Sequence, residues 1–331
     1  ITHFRPQCKA LYRNWIAMKT GFCFILILPL LWLTEAMAGS DLKVVVSIKP
    51  FHSLVSAVMQ GVSEPILLLN GNSSPHSFSL RPSDADSLQN ATLVFWGGER
   101  LEQFLAKPIH SLAASAKLVS LQETPGLRFW PLRSGKNRQK IENEASLDRQ
   151  RSNENENGWP LGVDPHIWLD PLNAKMITQN IVQILSDLDP ENAKIIRSNG
   201  EKAVIRLNEL DQQLRTEMSD VSARVYMVFH DAFQYFEKRY LLNNIGSVTH
   251  RVGHASSVRR LREVRKTIKK NKVRCIFYEP QFSPKLVQTV IAGTSVKKGE
   301  LDPLGAGLVP GVELYFTLLN NLSRSLRTCL S

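Results

Sequence analysis

Three histidines stand in three separate but similar contexts: His76 in Ser-Pro-His-Ser-Phe-Ser-Leu-Arg-Pro-Ser-Asp, His166 in Asp-Pro-His-Ile-Trp-Leu-Asp-Pro, and His230 in Val-Phe-His-Asp-Ala-Phe. Each falls just beyond an apolar run, or in a short turn ahead of a helix-start signal. That is where an α/β fold places its ligands. Three neutral imidazoles meeting at one point make a zinc site with one coordination position open. Taken alone, a histidine after a strand is more often a hydrogen-bonded or surface residue, so everything rests on whether the fold brings the three together.

The elements that must do so alternate in type. Residues 43–48, 66–69, 93–96 and 117–120 read as strands, with helices over 51–59, from Pro82-Ser83-Asp84 onward, and over 99–106. The pattern recurs with strands at 224–229 and 273–278 and helices at 232–239, 256–270, 284–291 and 311–327. Strands separated by helices imply βαβ units and parallel sheets, hence an α/β chain of two lobes, 39–190 and 223–331. Between them Asp170-Pro171 opens one helix, with Ile177, Ile181, Ile184 and Leu188 at helical spacing. Asp189-Pro190 opens another, whose Ala203, Leu207, Leu210, Leu214, Met218 and Val221 form a single apolar stripe. A linking helix over 191–222 would be about 48 Å long; Gly200 is its weak point. Residues 133–162 hold six basic residues, five acidic ones and five Asn. So polar a stretch reads as a mobile surface loop.

Met18-Lys19-Thr20, the apolar run that follows and Ala36-Met37-Ala38 have the three parts of a secretory signal peptide. The run is too short and too broken by proline to favour a membrane span. Residues 1–38 therefore read as an upstream segment (1–17) followed by a signal peptide, with the mature chain beginning near Gly39. No cysteine follows a lipobox-like motif. The formal net charge is +11, but export and the lack of any binding motif argue against nucleic acid as a partner. Cys8 and Cys23 fall in the leader. Cys275 and Cys329 remain, and in an oxidising compartment they read as one disulfide, with a pair of free buried thiols as the alternative. The bond would close a loop of about 54 residues, worth roughly 4 kcal/mol in the chain-entropy model.

Five motifs occur in order: His76 with Ser79-Leu80-Arg81-Pro82-Ser83-Asp84, His166-Ile-Trp-Leu, Phe229-His230-Asp231-Ala232-Phe233, Phe277-Tyr278-Glu279-Pro280-Gln281-Phe282, and Leu301-Asp302-Pro303-Leu304-Gly305. Together they resemble the periplasmic zinc-binding proteins of bacterial zinc ABC importers, the ZnuA-like family, over nearly all of residues 43–329. The resemblance implies two α/β lobes joined by a long rigid helix, a metal held in the cleft, and a disulfide in the C-terminal lobe matching Cys275 and Cys329. It implies a monomeric periplasmic protein that is not an enzyme, with Zn²⁺ as transported ligand and an inner-membrane ABC permease as partner. By motif, His76 and His166 are ligands from the N-terminal lobe and His230 the ligand from the C-terminal lobe. Manganese-carrying relatives tend to replace the third histidine with a carboxylate, so His230 points to zinc, as does the weak affinity of manganese for nitrogen donors.

Two departures stand out. Pro75 occupies the position where zinc members often have an acidic residue. The fourth ligand is then water or a carboxylate, with Asp302 the first candidate; Asp302 can equally hold a ligand's partner or cap a helix. The 133–162 stretch has no histidine where zinc members usually carry a histidine- and acid-rich loop, so a metal-gathering role is not expected of it.

His250 and His254, four apart, could capture a second metal, though Gly253 argues for a loop. His52 and His110 read as helix-surface residues. Asp231 could orient an imidazole or cap the next helix, and Glu279 reads as structural or as a ligand's hydrogen-bond partner. The basic residues Arg259, Arg260, Arg262, Arg265, Lys266, Lys269 and Lys270 surround an apolar stripe of Val258, Leu261, Val264 and Ile268. They read as a solvated helix face, the sharper alternative being docking to an anionic membrane or to the permease. Two other functions fit three histidines: a manganese or iron carrier of the same fold, and a zinc hydrolase. The hydrolase lacks a His-Glu-x-x-His motif and an evident general base. An adhesion role in the same compartment is also compatible with the sequence.

Overall fold

The computed structural model describes residues 42–133, 162–249 and 257–331. The leader at 1–38, residues 134–161 of the polar stretch, and His250 and His254 lie outside the described residues.

The first lobe is built on a parallel sheet of β1 (Val44–Ile48), β2 (Ile66–Leu69), β3 (Leu93–Trp96) and β4 (Lys117–Ser120), in the order β2-β1-β3-β4. Strand β1 is buried at every position, as a parallel strand covered on both faces must be, and therefore reads as an unbroken apolar run. Helix α1 (Lys49–Met59) follows it directly, with Pro50 in its first turn. Helix α2 (Pro82–Gln89) precedes β3. The helix expected over 99–106 is instead two short ones split by a proline, α3 (Gln103–Ala106) and α4 (Pro108–Leu112).

Helices α5 (Pro171–Leu188) and α6 (Ala193–Ser219) come next. The expected N-cap of α5 is present: Leu172 N–H donates to Asp170 Oδ1 at 2.9 Å, with proline at the first helical position. The 27 residues of α6 span about 40 Å. Gly200 does not weaken this helix but fits it to its neighbour: a Cβ at Gly200 would lie 2.2 Å from Val182 Cγ2 on α5.

The second lobe repeats the plan with β5 (Tyr226–Val228), α7 (Gln234–Arg239), β6 (Asn244–Ser247), α8 (Val258–Asn271), β7 (Cys275–Tyr278), α9 (Lys285–Ile291) and β8 (Lys297–Glu300). Its parallel order is β6-β5-β7-β8. Sequence reading found the central strands β5 and β7 and missed both edges. Asn-Ile-Gly-Ser and Lys-Lys-Gly-Glu carry almost no apolar signal, which is how short, charged edge strands avoid pairing with other chains. Helix α10 (Leu314–Leu330) closes the chain, and Cys329 on it is disulfide-bonded to Cys275 of β7, with Cα atoms 6.1 Å apart.

One apolar core runs through both lobes, including Phe51 of α1, Trp168, Leu207 and Leu214 of α6, and Tyr315 and Leu319 of α10. Polar contacts cross the same boundary. Lys49, buried just past β1, donates its Nζ to the carbonyls of Gly305, Ala306 and Leu308 at 3.2, 2.7 and 3.0 Å. Trp168 Nε1 donates to Pro303 O at 2.8 Å, and Tyr315 OH to Trp168 O at 2.7 Å. The segments that bracket any site between the lobes are thereby fixed to one another.

His52 is not the surface residue expected. It is buried, and its Nε2 donates to Pro65 O at 2.9 Å; His110 is exposed. On α8, Val264 and Ile268 are buried. Arg260 donates to Val248 O, Arg265 donates to the carbonyls of Val290 and Ala292, and Arg259 pairs with Glu263. The described residues contain no helix long and apolar enough to cross a membrane.

Candidate metal centre

Each histidine is held by its own local device. His76 lies between β2 and α2, its N–H 3.3 Å from Ser74 Oγ. His166 precedes a 3₁₀ turn at Ile167–Leu169 that buries Trp168 and leads into the Asp170 cap. Both its backbone N–H and its ring Nδ1 donate to Asp164 Oδ1, at 3.0 and 2.7 Å. His230 lies two residues past β5. Its Nδ1 is 2.8 Å from both oxygens of Glu279, the residue just past β7. Strands β5 and β7 are neighbours, and the chain moves from one side of β5 to the other between β6 and β7. His230 and Glu279 thus mark the topological switch point, where open α/β sheets bind ligands.

The three rings converge. Their centroids lie 5.4 Å apart for His76 and His166, 5.7 Å for His76 and His230, and 5.2 Å for His166 and His230. One ligand nitrogen from each lies within 4.8 Å of the others. His76 Nε2 and His166 Nε2 are 3.3 Å apart, the spacing of about 3.3 Å that two nitrogens bonded at 2.0–2.1 Å to one tetrahedral zinc would have. His230 Nε2 is buried, with no partner among the described residues. For His166 and His230 the carboxylate accepts a hydrogen bond from Nδ1–H, which keeps the proton on Nδ1 and makes Nε2 the nitrogen that can bind a metal.

Electrostatics sort the three. Burial, and then the other two rings, push His76 down to about 2. His166 is likewise lowered well below its ordinary value, first by burial and then by His230. Burial also opposes a charge on His230, but Glu279 outweighs it and His230 is raised. Burial lifts the Asp164 carboxyl to about 8, against the N–H of His166; a dication beside His166 would favour its anion. The cluster presents nitrogen lone pairs, with its acidity one bond-length further out.

A family model described as zinc-uptake complex component A, periplasmic (ZnuA), matches residues 44–329. The chain belongs to that family. It is 39% identical over 332 residues to a high-affinity zinc uptake system protein ZnuA of Brucella suis, covering 95% of this chain and 96% of that one. A crystal structure of ZnuA aligns with a TM-score of 0.71 at 24% identity, covering 88% of this chain and 100% of the other. The periplasmic zinc-binding protein TroA of Treponema pallidum aligns with a TM-score of 0.72 at 21% identity, with the same coverage. At those identities the two structures speak to fold: two parallel-sheet lobes flanked by helices.

In this ZnuA-family chain Asp302 does not join the histidines. Its Oδ1 accepts from Leu304 N–H and Gly305 N–H, both at 3.0 Å, and from Gln281 Nε2 at 2.7 Å, and its Oδ2 accepts from Ala306 N–H at 2.5 Å. The carboxylate is engaged in shaping the Asp-Pro-Leu-Gly turn and in holding Gln281, in keeping with the partner or cap role read for it alongside that of fourth ligand. Asp231 is ion-paired with Arg133, whose guanidinium also lies 2.7 Å from Glu237 Oε2. Sequence reasoning missed Asp164, although a carboxylate two residues before a histidine in Asp-Pro-His is placed to reach back to it. It also missed Arg133, which no local pattern marks, and Gln281, which stands in the Phe277–Phe282 motif but was given no role there.

Proposed function

We propose that this protein captures Zn²⁺ in the periplasm and delivers it to the inner-membrane permease of an ABC zinc importer. His76, His166 and His230 are its metal ligands. The single observation that carries this is the convergence of three bare imidazole nitrogens, two of them backed by carboxylates. Family membership supports the same reading. The donor set is all nitrogen, which suits zinc and penalises manganese, so zinc is the favoured cargo over manganese or iron. The arrangement serves binding rather than hydrolysis: the nearby carboxylates Asp164 and Glu279 are tied to the imidazoles and are not available as a general base. The protein would reach the periplasm through the leader at 18–38 and act as a monomer, its lobes at 39–190 and 223–331 spaced by the segment at 191–222 that holds α6.

The test is a zinc titration of purified residues 39–331, stripped of metal, against a chelator with Mn²⁺ as competitor. One tight zinc equivalent that excess Mn²⁺ cannot displace is expected. Weak zinc binding, or ready displacement by Mn²⁺, overturns the proposal.

A further inference from the structure

Gln281 lines the histidine pocket beside His76, His166 and His230. Its amide orientation is forced. Asp302 offers only acceptor oxygens and is held by three backbone N–H groups, so Nε2 must face it, at 2.7 Å. The carbonyl oxygen Oε1 must then point away from Asp302. It is buried and has no hydrogen-bond partner among the described residues. Buried polar atoms left without a partner are rare and call for a ligand, water or ion. Among the described residues the other buried, unpartnered side-chain atom lining this pocket is His230 Nε2, a metal-facing nitrogen on the reading above, on which this inference rests.

We infer that Gln281 Oε1 serves the open fourth vertex of the site, accepting a hydrogen bond from the water that completes the shell of the bound dication. The amide is pinned through Asp302 to the 302–306 turn, so its oxygen is held as a fixed acceptor. A neutral acceptor suits the task. It fixes the water without adding charge, and keeps the site free of the carboxylate that would suit harder, oxygen-loving cations. Asp302 acts at one remove by orienting Gln281. Partners that orient a metal's ligands in this way typically contribute ten- to a hundredfold in affinity.

The experiment uses residues 39–331 of the wild type, of Gln281→Leu and of Gln281→Met, which has nearly the same length without the amide. Zinc Kd is read by chelator competition, and the zinc shell by X-ray absorption. The wild type is expected to show three nitrogens and one light oxygen donor. Both variants are expected to keep that shell but bind zinc about tenfold more weakly, with apo melting curves like the wild type's. A Kd within twofold of wild type in a folded variant overturns the inference. So does loss of the oxygen donor in a variant, which would make Gln281 itself the ligand, and so does a wild-type shell with no oxygen, which needs no variant to fold. Tight wild-type zinc binding with an indifferent Gln281 sinks this inference alone; weak wild-type zinc binding sinks the proposed function beneath it.

Discussion

His230 at the end of β5 and Glu279 at the end of the neighbouring strand β7 are locked together, the ring Nδ1 lying 2.8 Å from both carboxylate oxygens. An ionised carboxylate only accepts, so Nδ1 carries the proton and Nε2 faces the other two rings bare. Replacing Glu279 with Gln removes the charge and lets the amide NH₂ compete for Nδ1. Zinc affinity should fall ten- to a hundredfold, and His230→Ala, which deletes a ligand, should fall further. Chelator competition on the two variants measures both. An E279Q protein that binds like wild type would show that the pairing is structural only.

Glu102 gives the first lobe a pH signature. Its carboxyl is wholly buried, with Gly97 N–H donating to Oε2 at 2.8 Å. Burial lifts its pKa from 4.5 to about 7, against that bond. The folded state therefore holds the proton more tightly than the unfolded one. The stabilisation is full below about pH 4.5 and is lost as pH rises through 7. On the order of 3 kcal/mol is at stake across that window. Glu102→Gln cannot ionise. In urea melts of the metal-free protein its midpoint should fall less than the wild type's, or rise more, from pH 5 to 8, and exceed wild type at pH 8. Parallel curves for the two proteins would refute the role given to Glu102.

Much of this was legible in the sequence because it rests on local signals. The strands β1, β3, β5 and β7 are apolar because both faces are covered, and the three histidines follow or precede unmistakable element ends. The parts that were not legible are relational. Glu279 could be suspected, but only the strand order puts it beside His230. Gln281 and Arg133 gain their roles from groups 21 and 98 residues away. For Asp302 the residue type and motif allowed a ligand, a ligand's partner or a cap. Only the 302–306 backbone, folded back on its carboxylate, shows that its lone pairs are already taken. His52 looked exposed because a polar side chain on an amphipathic helix usually is, and the Pro65 carbonyl that accepts its hydrogen bond lies in the loop ahead of β2.

The disulfide and the metal centre should be energetically separable. Cys275 begins β7 and Glu279 follows its end, so about 13 Å of strand lies between them. Closing a loop of 54 residues is worth about 4 kcal/mol through the unfolded chain. Cys275→Ser with Cys329→Ser should lower unfolding free energy by roughly that amount in a denaturant titration, while zinc Kd at 25 °C stays within a factor of about three. A large loss of zinc affinity in a protein that remains folded would mean that the bond positions the end of β7 as well.

Gly200 sets the fit of α6 against α5. In an exposed helix interior, Gly→Ala stabilises by about 1 kcal/mol. Here the added Cβ would lie 2.2 Å from Val182 Cγ2, far inside contact distance, and α6 is also packed on α1 and α10, which limits how far it can step away. Overpacking of this kind costs about 1–3 kcal/mol. Gly200→Ala should therefore destabilise, with the sign opposite to helix propensity. Val182→Ala removes the colliding methyls and alone should cost about 1–2 kcal/mol by the cavity it leaves. In the double variant the alanine at 200 fills part of that cavity and the helix-propensity gain returns, so the pair should be more stable than the sum of the single changes by at least about 1 kcal/mol. Urea unfolding of the four proteins closes the cycle. Additive effects, or a stabilising Gly200→Ala, would show that the two helices can separate at this crossing and that the glycine is there for another reason.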